Sequence, residues 1–166
     1  MSFLSKFFKP DFRGLKYRLI LDEEKGTGCL PSPPDPRDYL VRSLIAKAGR
    51  LPDRVVLPIS PVKNQGGTNS CTGFASVAAY ETLRLIKGKN VFDCSELFTY
   101  YYARLRSGLQ GIDGGAYLRD ALQSMLDQGL ALEDFWQFNP SATEQIPTFL
   151  ARSTARLLKI KGYYRC

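Results

Sequence analysis

The sequence predicts a mainly α-helical domain, entered by an extended N-terminal arm and left by a C-terminal strand. Three observations carry this. Apolar residues recur at helical spacing in three successive stretches, closed by Gly88, Gly108 and Gly129. Pro31, Pro33, Pro34 and Pro36 lie within six residues, which forbids helix and favours an extended arm. Leu158 to Tyr164 is a short apolar run that reads as a strand interrupted by Gly162.

The elements follow in order. Residues 1–29 form an arm with a possible short helix and strand. In it Phe3, Leu4, Phe7 and Phe8 take helical spacing around Lys6 and Lys9. This pattern fits either a docking arm for a partner or a membrane surface, or a short helix or extended arm packed on its own domain. Leu15 to Leu21 reads as a strand and Asp22 to Gly28 as a loop. Residues 30–60 are a proline-rich extended segment with a short helix over Leu40–Ala48. Residues 61–166 are the helical lobe. Its first helix starts at Cys71, and apolar residues surrounding the axis predict burial on most sides. Asp93 with Glu96 reads as the cap of the second helix, whose broad face carries Leu97, Phe98, Tyr101, Tyr102 and Leu105. Leu118, Ala121, Leu122, Met125 and Leu126 define the third. Ser141 with Glu144 reads as another capping box, and Pro147 limits or restarts that helix.

Composition narrows the function classes. The 166 residues suit one domain, 44% hydrophobic and 23% charged. No apolar run approaches the roughly 20 residues that span a bilayer, so a membrane role is not expected. The first ten residues are too short and too basic for a secretory signal. The net charge of +7 is scattered rather than gathered into a stripe, which argues against nucleic acid as partner. Cys29, Cys71, Cys94 and Cys166 form no C-x-x-C pair, and histidine is absent from the sequence. No metal, no cofactor and no structural disulfide are expected, and a reducing setting, bacterial cytoplasm or a virion, fits.

The chemistry concentrates at Cys71. A thiol at a helix N-terminus faces unpaired N–H groups and the positive end of the dipole, which favour the thiolate. Gly66 and Gly67 allow the tight loop that presents it. Gln65, six residues earlier, places a side-chain amide where an oxyanion would form. The plainer alternative is that Cys71 is a small buried residue kept by the fold and that Gln65 only caps its loop.

Pro61-Val62-Lys63-Asn64-Gln65-Gly66, Ser70-Cys71 and Gly73-Phe74-Ala75-Ser76 together resemble the nucleophile segment of papain-type cysteine peptidases. Cys94-Ser95-Glu96-Leu97 resembles the family's Ser-Glu segment. Asp113-Gly114-Gly115 resembles its cleft-lining double glycine, and Trp136-Gln137-Phe138 its aromatic region. Asp35-Pro36-Arg37-Asp38-Tyr39 is similar to a segment of bacterial members. The resemblance covers roughly residues 30–165 in the same order. It implies the N-terminal helical lobe of a two-lobed fold, without the β-barrel lobe. It makes Cys71 the nucleophile and Gln65 the oxyanion donor. Asp113, Gly114 and Gly115 become the edge that holds an extended peptide.

Three departures from the family pattern matter. The family's secreted members pair cysteines at positions that here hold Thr68 and Ile112. The tryptophan that often follows the nucleophile is Thr72, which alters a wall of the site. No histidine is present to serve as base, and general acid–base catalysis contributes roughly 10²–10⁴-fold. A carboxylate such as Asp113, with an ordinary pKa of about 4, is a poor proton donor at neutral pH. The resulting expectation is a papain-like lobe acting as a structural or adaptor subunit of a larger assembly, such as a phage virion, with a protein partner over its cleft face. The alternatives are the nucleophile half of a split or truncated peptidase and a redox-reactive thiol protein.

Overall fold

The computed structural model describes residues 28–36 and 53–164. The aromatic arm with Phe3, Leu4, Phe7 and Phe8, the strand expected over 15–21, the helix expected over 40–48 and Cys166 lie outside the described residues. Within them the chain is helical, as expected. Four α-helices span Cys71–Ile86 (α1), Glu96–Ser107 (α2), Leu118–Asp127 (α3) and Phe149–Ala155 (α4). Two short strands, Cys29–Leu30 (β1) and Ala116–Tyr117 (β2), pair in parallel.

Helix α2 is the centre, packed against α1, α3 and β2. Its buried face carries Leu97, Phe98, Tyr100 and Ala103. Val77 of α1, Met125 of α3, Cys94 and Leu130 form one apolar cluster. Phe98, Ala131, Ala151 and Ala155 form a second, which seats α4. Tyr100, Ala103, Ala116 and Ala121 form a third, behind the Gly114-Gly115 loop.

Helix α1 departs from expectation. Thr72, Gly73, Ser76 and Val77 are buried, but Ala75, Ala78, Ala79, Leu83 and Ile86 are exposed. The described residues cover one side of this helix only, so an apolar circumference meets neighbours over half its extent. Ile59 and Val62, the latter 90% exposed, border the same groove as Ala75 and Ala78 of this side, and Val55, Val56 and Leu57 are exposed as well.

The caps also differ in detail. Ser95, not Asp93, caps α2, its hydroxyl accepting from Phe98 N at 3.1 Å. A serine hydroxyl at the residue just before the helix has the right reach, whereas Asp93 is drawn into an ion pair with Lys63. Asn139, not Ser141, caps the 3-10 turn Pro140–Ala142, and Glu144 turns inward to Arg104 instead of closing a capping box. Pro147 then precedes α4, which Thr148 caps. Residues 158–164, expected as a strand, form no ladder among the described residues. Leu158 O accepts from Leu130 N at 2.8 Å, Lys159 Nζ donates to Asp127 O at 2.5 Å and Tyr163 OH donates to Gln123 Oε1 at 3.0 Å, which tie the segment to the lobe. A strand needs a continuous neighbour, and no described segment runs alongside.

Arg104 is the largest fully buried side chain among the described residues, 1% exposed. It donates to Ile112 O at 2.7 Å, to Thr143 O and to Glu144, and lies 4.4 Å from the Tyr100 ring centroid. One guanidinium therefore joins α2 to the loop before the double glycine and to the 143–144 turn.

Candidate functional site

Residues 65–70 make two turns and deliver Cys71 as the first residue of α1. Thr68 donates its hydroxyl proton to Gln65 O at 2.8 Å. The 2.6 Å contact between Thr68 Oγ1 and Ser70 Oγ then has Ser70 as donor. Gln65 Nε2 donates to Thr68 O at 2.8 Å. An amide carries two N–H donors, so this bond orients the group without exhausting it. The loop thus holds Gln65 and Cys71 through its own polar groups.

Cys71 is half-buried. Burial pushes its thiol up, and the neighbouring Cys29 adds to the rise. Hydrogen bonds from the Thr72 and Cys71 backbone pull the other way and do not prevail. The helix-end donors that the sequence suggests are present, but their effect is smaller than the desolvation. Thr72, expected to alter a wall of the site, is 1% exposed and points into the lobe, with an unpartnered hydroxyl. Its side chain belongs to the packing beneath the cysteine, because the second residue of a helix faces a different way from the first.

The Asp113-Gly114-Gly115 loop stands beside this turn. Asp113 Oδ2 accepts from Asn69 N at 3.0 Å and Oδ1 from Tyr100 OH at 2.5 Å. Asn69 Nδ2 donates back to Asp113 O at 2.5 Å. Both carboxylate oxygens are engaged, which makes Asp113 a tie between the two loops. Asn69 and Asp113 each follow one of the positions, Thr68 and Ile112, where the disulfide of secreted papain-type enzymes would sit. A polar clamp joins the same two loops here.

The edge expected to receive an extended peptide is occupied by the chain's own arm. Gly28 O accepts from Ala116 N at 2.8 Å, and Cys29 and Leu30 continue in register with Ala116 and Tyr117. Gly115 is buried at φ +86°, and a Cβ there would lie 2.3 Å from Gly28 O. Only glycine permits both the backbone angle and the approach. The arm continues past α3, where Arg119 N donates to Ser32 Oγ at 3.5 Å and the Arg119 guanidinium donates to Pro33 O. Sequence reasoning missed this placement, because Gly28 makes its contact through a missing side chain.

Below α1 lies a polar cluster. Lys63 pairs with Asp93 and with Glu96, the latter at 2.6 Å. Burial alone would lower the Lys63 pKa, but the bonds to Asp93 and Glu96 hold it above its ordinary value. Burial raises Glu96, which Lys63 counters, and it also raises Glu133. Glu81 accepts from Cys94 N at 3.0 Å, and burial with the Glu81 charge pushes the Cys94 thiol up to about 12. Phe138 packs edge-on against Phe74 at 5.0 Å, tying the aromatic segment to α1. No group of three potential metal ligands occurs among the described residues, and no described helix is long and apolar enough to cross a membrane.

No protein-family model matches the chain. The chain is 29% identical over 103 residues to an uncharacterized peptidase C1-like protein of Acanthamoeba polyphaga mimivirus, a match spanning 61% of this chain and 33% of that protein. Its structure is similar to that of xylellain, a cysteine protease from Xylella fastidiosa, with a TM-score of 0.71 and 26% identity. That likeness covers 86% of this chain and 59% of xylellain. The proform of the ragweed pollen allergen Amb a 11, a cysteine protease, superimposes with a TM-score of 0.51 at 19% identity over 75% of this chain and 42% of its own. The chain spans a third of the viral relative and less than two thirds of xylellain. The described residues have the papain-like, C1-type fold, represented here by its helical lobe.

Proposed function

We propose that this lobe presents the nucleophile half of a papain-type cysteine peptidase site, with Cys71 as nucleophile, Gln65 as oxyanion donor and the general base supplied by residues outside these 166. The observation that carries this is the local build of the Cys71 loop. Gln65, Thr68 and Ser70 form a closed set of hydrogen bonds that sets the amide and a half-buried thiol at the head of α1.

The exposed side of α1 supports the same reading. Together with Ile59, Val62, Lys63 and Glu96 it borders a groove of ≈ 330 Å³. An apolar face of this kind is suited to a second body that brings a histidine to the sulfur. A protein partner or a further stretch of the same polypeptide would serve equally.

One observation favours the adaptor reading instead. The backbone donors at the head of α1 do not outweigh burial at Cys71, whose pKa is raised rather than lowered. In that reading the lobe binds neighbours in a larger assembly, such as a virion, without cleaving anything.

Hydrolysis of a fluorogenic peptide separates the two. The 166-residue chain alone should match its Cys71→Ala variant. The chain combined with its histidine-bearing complement should hydrolyse the peptide, with Cys71→Ala abolishing turnover. A folded, assembled protein that is indifferent to Cys71→Ala in both hydrolysis and assembly would sink the peptidase reading and leave the adaptor.

A further inference from the structure

The arm brings a second thiol to the rim of the cleft. Gly28 rests against the loop that presents Cys71, where a Cβ on it would fall 1.8 Å from Asn69 O. On its other side Gly28 O takes the Ala116 N–H, and Cys29 pairs with Ala116. Cys29 is one residue beyond this contact and Cys71 two residues beyond it. A disulfide needs Cα atoms within roughly 7 Å, which residues so close to a backbone contact can meet. Both thiols are open to reagents, Cys29 exposed and Cys71 half-buried, whereas Cys94 is 0% exposed. A charge on Cys29 also disfavours one on Cys71.

We propose that Cys29 and Cys71 form a redox pair, joined by oxidation into a disulfide that pins residues 28–30 across the cleft and withdraws Cys71 from any other chemistry. With hydrogen peroxide as oxidant, the Cys71 thiolate attacks a peroxide oxygen and the O–O bond breaks. The products are a Cys71 sulfenic acid and hydroxide, which takes a proton to become water. The Cys29 thiolate then attacks the Cys71 sulfur, the S–S bond forms and a second hydroxide leaves as water. Two thiols lose two electrons and two protons, and one peroxide becomes two waters. A dithiol reverses the step by exchange. The pairing needs only the two sulfurs, so it stands whether or not a base reaches Cys71.

The test uses the full 166-residue chain, treated with hydrogen peroxide, alkylated with iodoacetamide and digested with trypsin. Mass spectrometry should find the peptide 26–37 linked to the peptide 64–84, lighter by two hydrogens than the separate thiol forms and released by dithiothreitol. Alkylation of Cys71 should fall at least about tenfold on oxidation and recover on reduction. Only the thiolate reacts, so the link should form faster as pH rises through 7 to 9. In Cys29→Ser and Cys29→Ala, Cys71 should instead progress to the sulfinic acid. Cys71 of the unaltered chain reaching the sulfinic acid without the linked peptides, or pairing with Cys94 or Cys166, overturns the proposal.

Discussion

Asn69 and Asp113 exchange two hydrogen bonds across forty-four residues of sequence, backbone N–H to carboxylate and side-chain amide to backbone carbonyl. This pair, with Tyr100 on the second carboxylate oxygen, fixes the Cys71 loop to the double-glycine loop. Asp113→Ala strands a buried-side N–H and a tyrosine hydroxyl. The expected cost is about 3 kcal/mol, since hydrogen bonds to charged groups contribute about 1.5–3 each. Urea unfolding measures it. Asp113→Asn, which keeps one acceptor, should lose about half as much.

Arg104 offers a second test. Replacing it with methionine keeps the stem but leaves the Ile112 and Thr143 carbonyls without their donor and Glu144 without its cation. Each carbonyl left without a donor costs about 1–3 kcal/mol. Glu144→Gln should cost far less, because its carboxylate is 40% exposed and water screens it. A loss of the same size in both variants would contradict this account.

Gly115→Ala probes the arm. The new methyl would carry φ +86° and meet Gly28 O at 2.3 Å. The backbone angle alone costs about 1–2 kcal/mol. The collision should release residues 28–30 from β2, so that iodoacetamide modifies Cys71 several-fold faster while the helical circular dichroism stays. An unchanged rate in a folded variant would show that the arm does not screen the thiol.

Stability should also respond to pH through Glu96 and Glu133. Burial raises both above the ordinary 4.5. In the window between 4.5 and the raised values the folded state holds more protons than the unfolded one. Their contribution is therefore most favourable below 4.5 and is lost as pH climbs through the raised values. Glu133→Gln removes one such group, so its urea midpoint should exceed that of the unaltered chain at pH 7. The advantage should shrink by pH 4.5. A constant difference across that range would tie the effect to something other than the proton.

Much of the lobe was legible from local patterns. The helix ends at Gly88 and Gly108 and the start at Cys71 follow from glycine and apolar spacing, signals set within a few residues. The cap of α2 was misplaced because Asp93 and Ser95 are both competent caps, and only the tertiary position of Lys63 decides between them. The run from Leu158 was read as a strand from its composition, yet pairing is a property of neighbours that a local pattern does not contain. The arm was hidden for a similar reason. Gly28 gives no side-chain signal, and its partners Asn69 and Ala116 lie far along the chain. At the candidate site, Cys71 and Gln65 are expectations from the sequence, and the hydrogen bonds of the loop between them appear only in the structure. The engagement of Asp113 with Asn69 and Tyr100, and the inward turn of Thr72, needed three dimensions.

The parallel pairing of β1 with β2 has a thermodynamic consequence. Residues 28–30 are a ligand for the Ala116 edge that is covalently attached to its receptor. A tethered segment competes at an effective concentration set by its connection to the receptor. An external peptide seeking the same edge must be present above that level, or bind it more tightly by the corresponding factor, before it displaces the arm. Its apparent affinity is reduced by the fraction of molecules in which the arm is seated. The strength of a two-residue strand therefore sets the threshold at which this cleft becomes open to anything else.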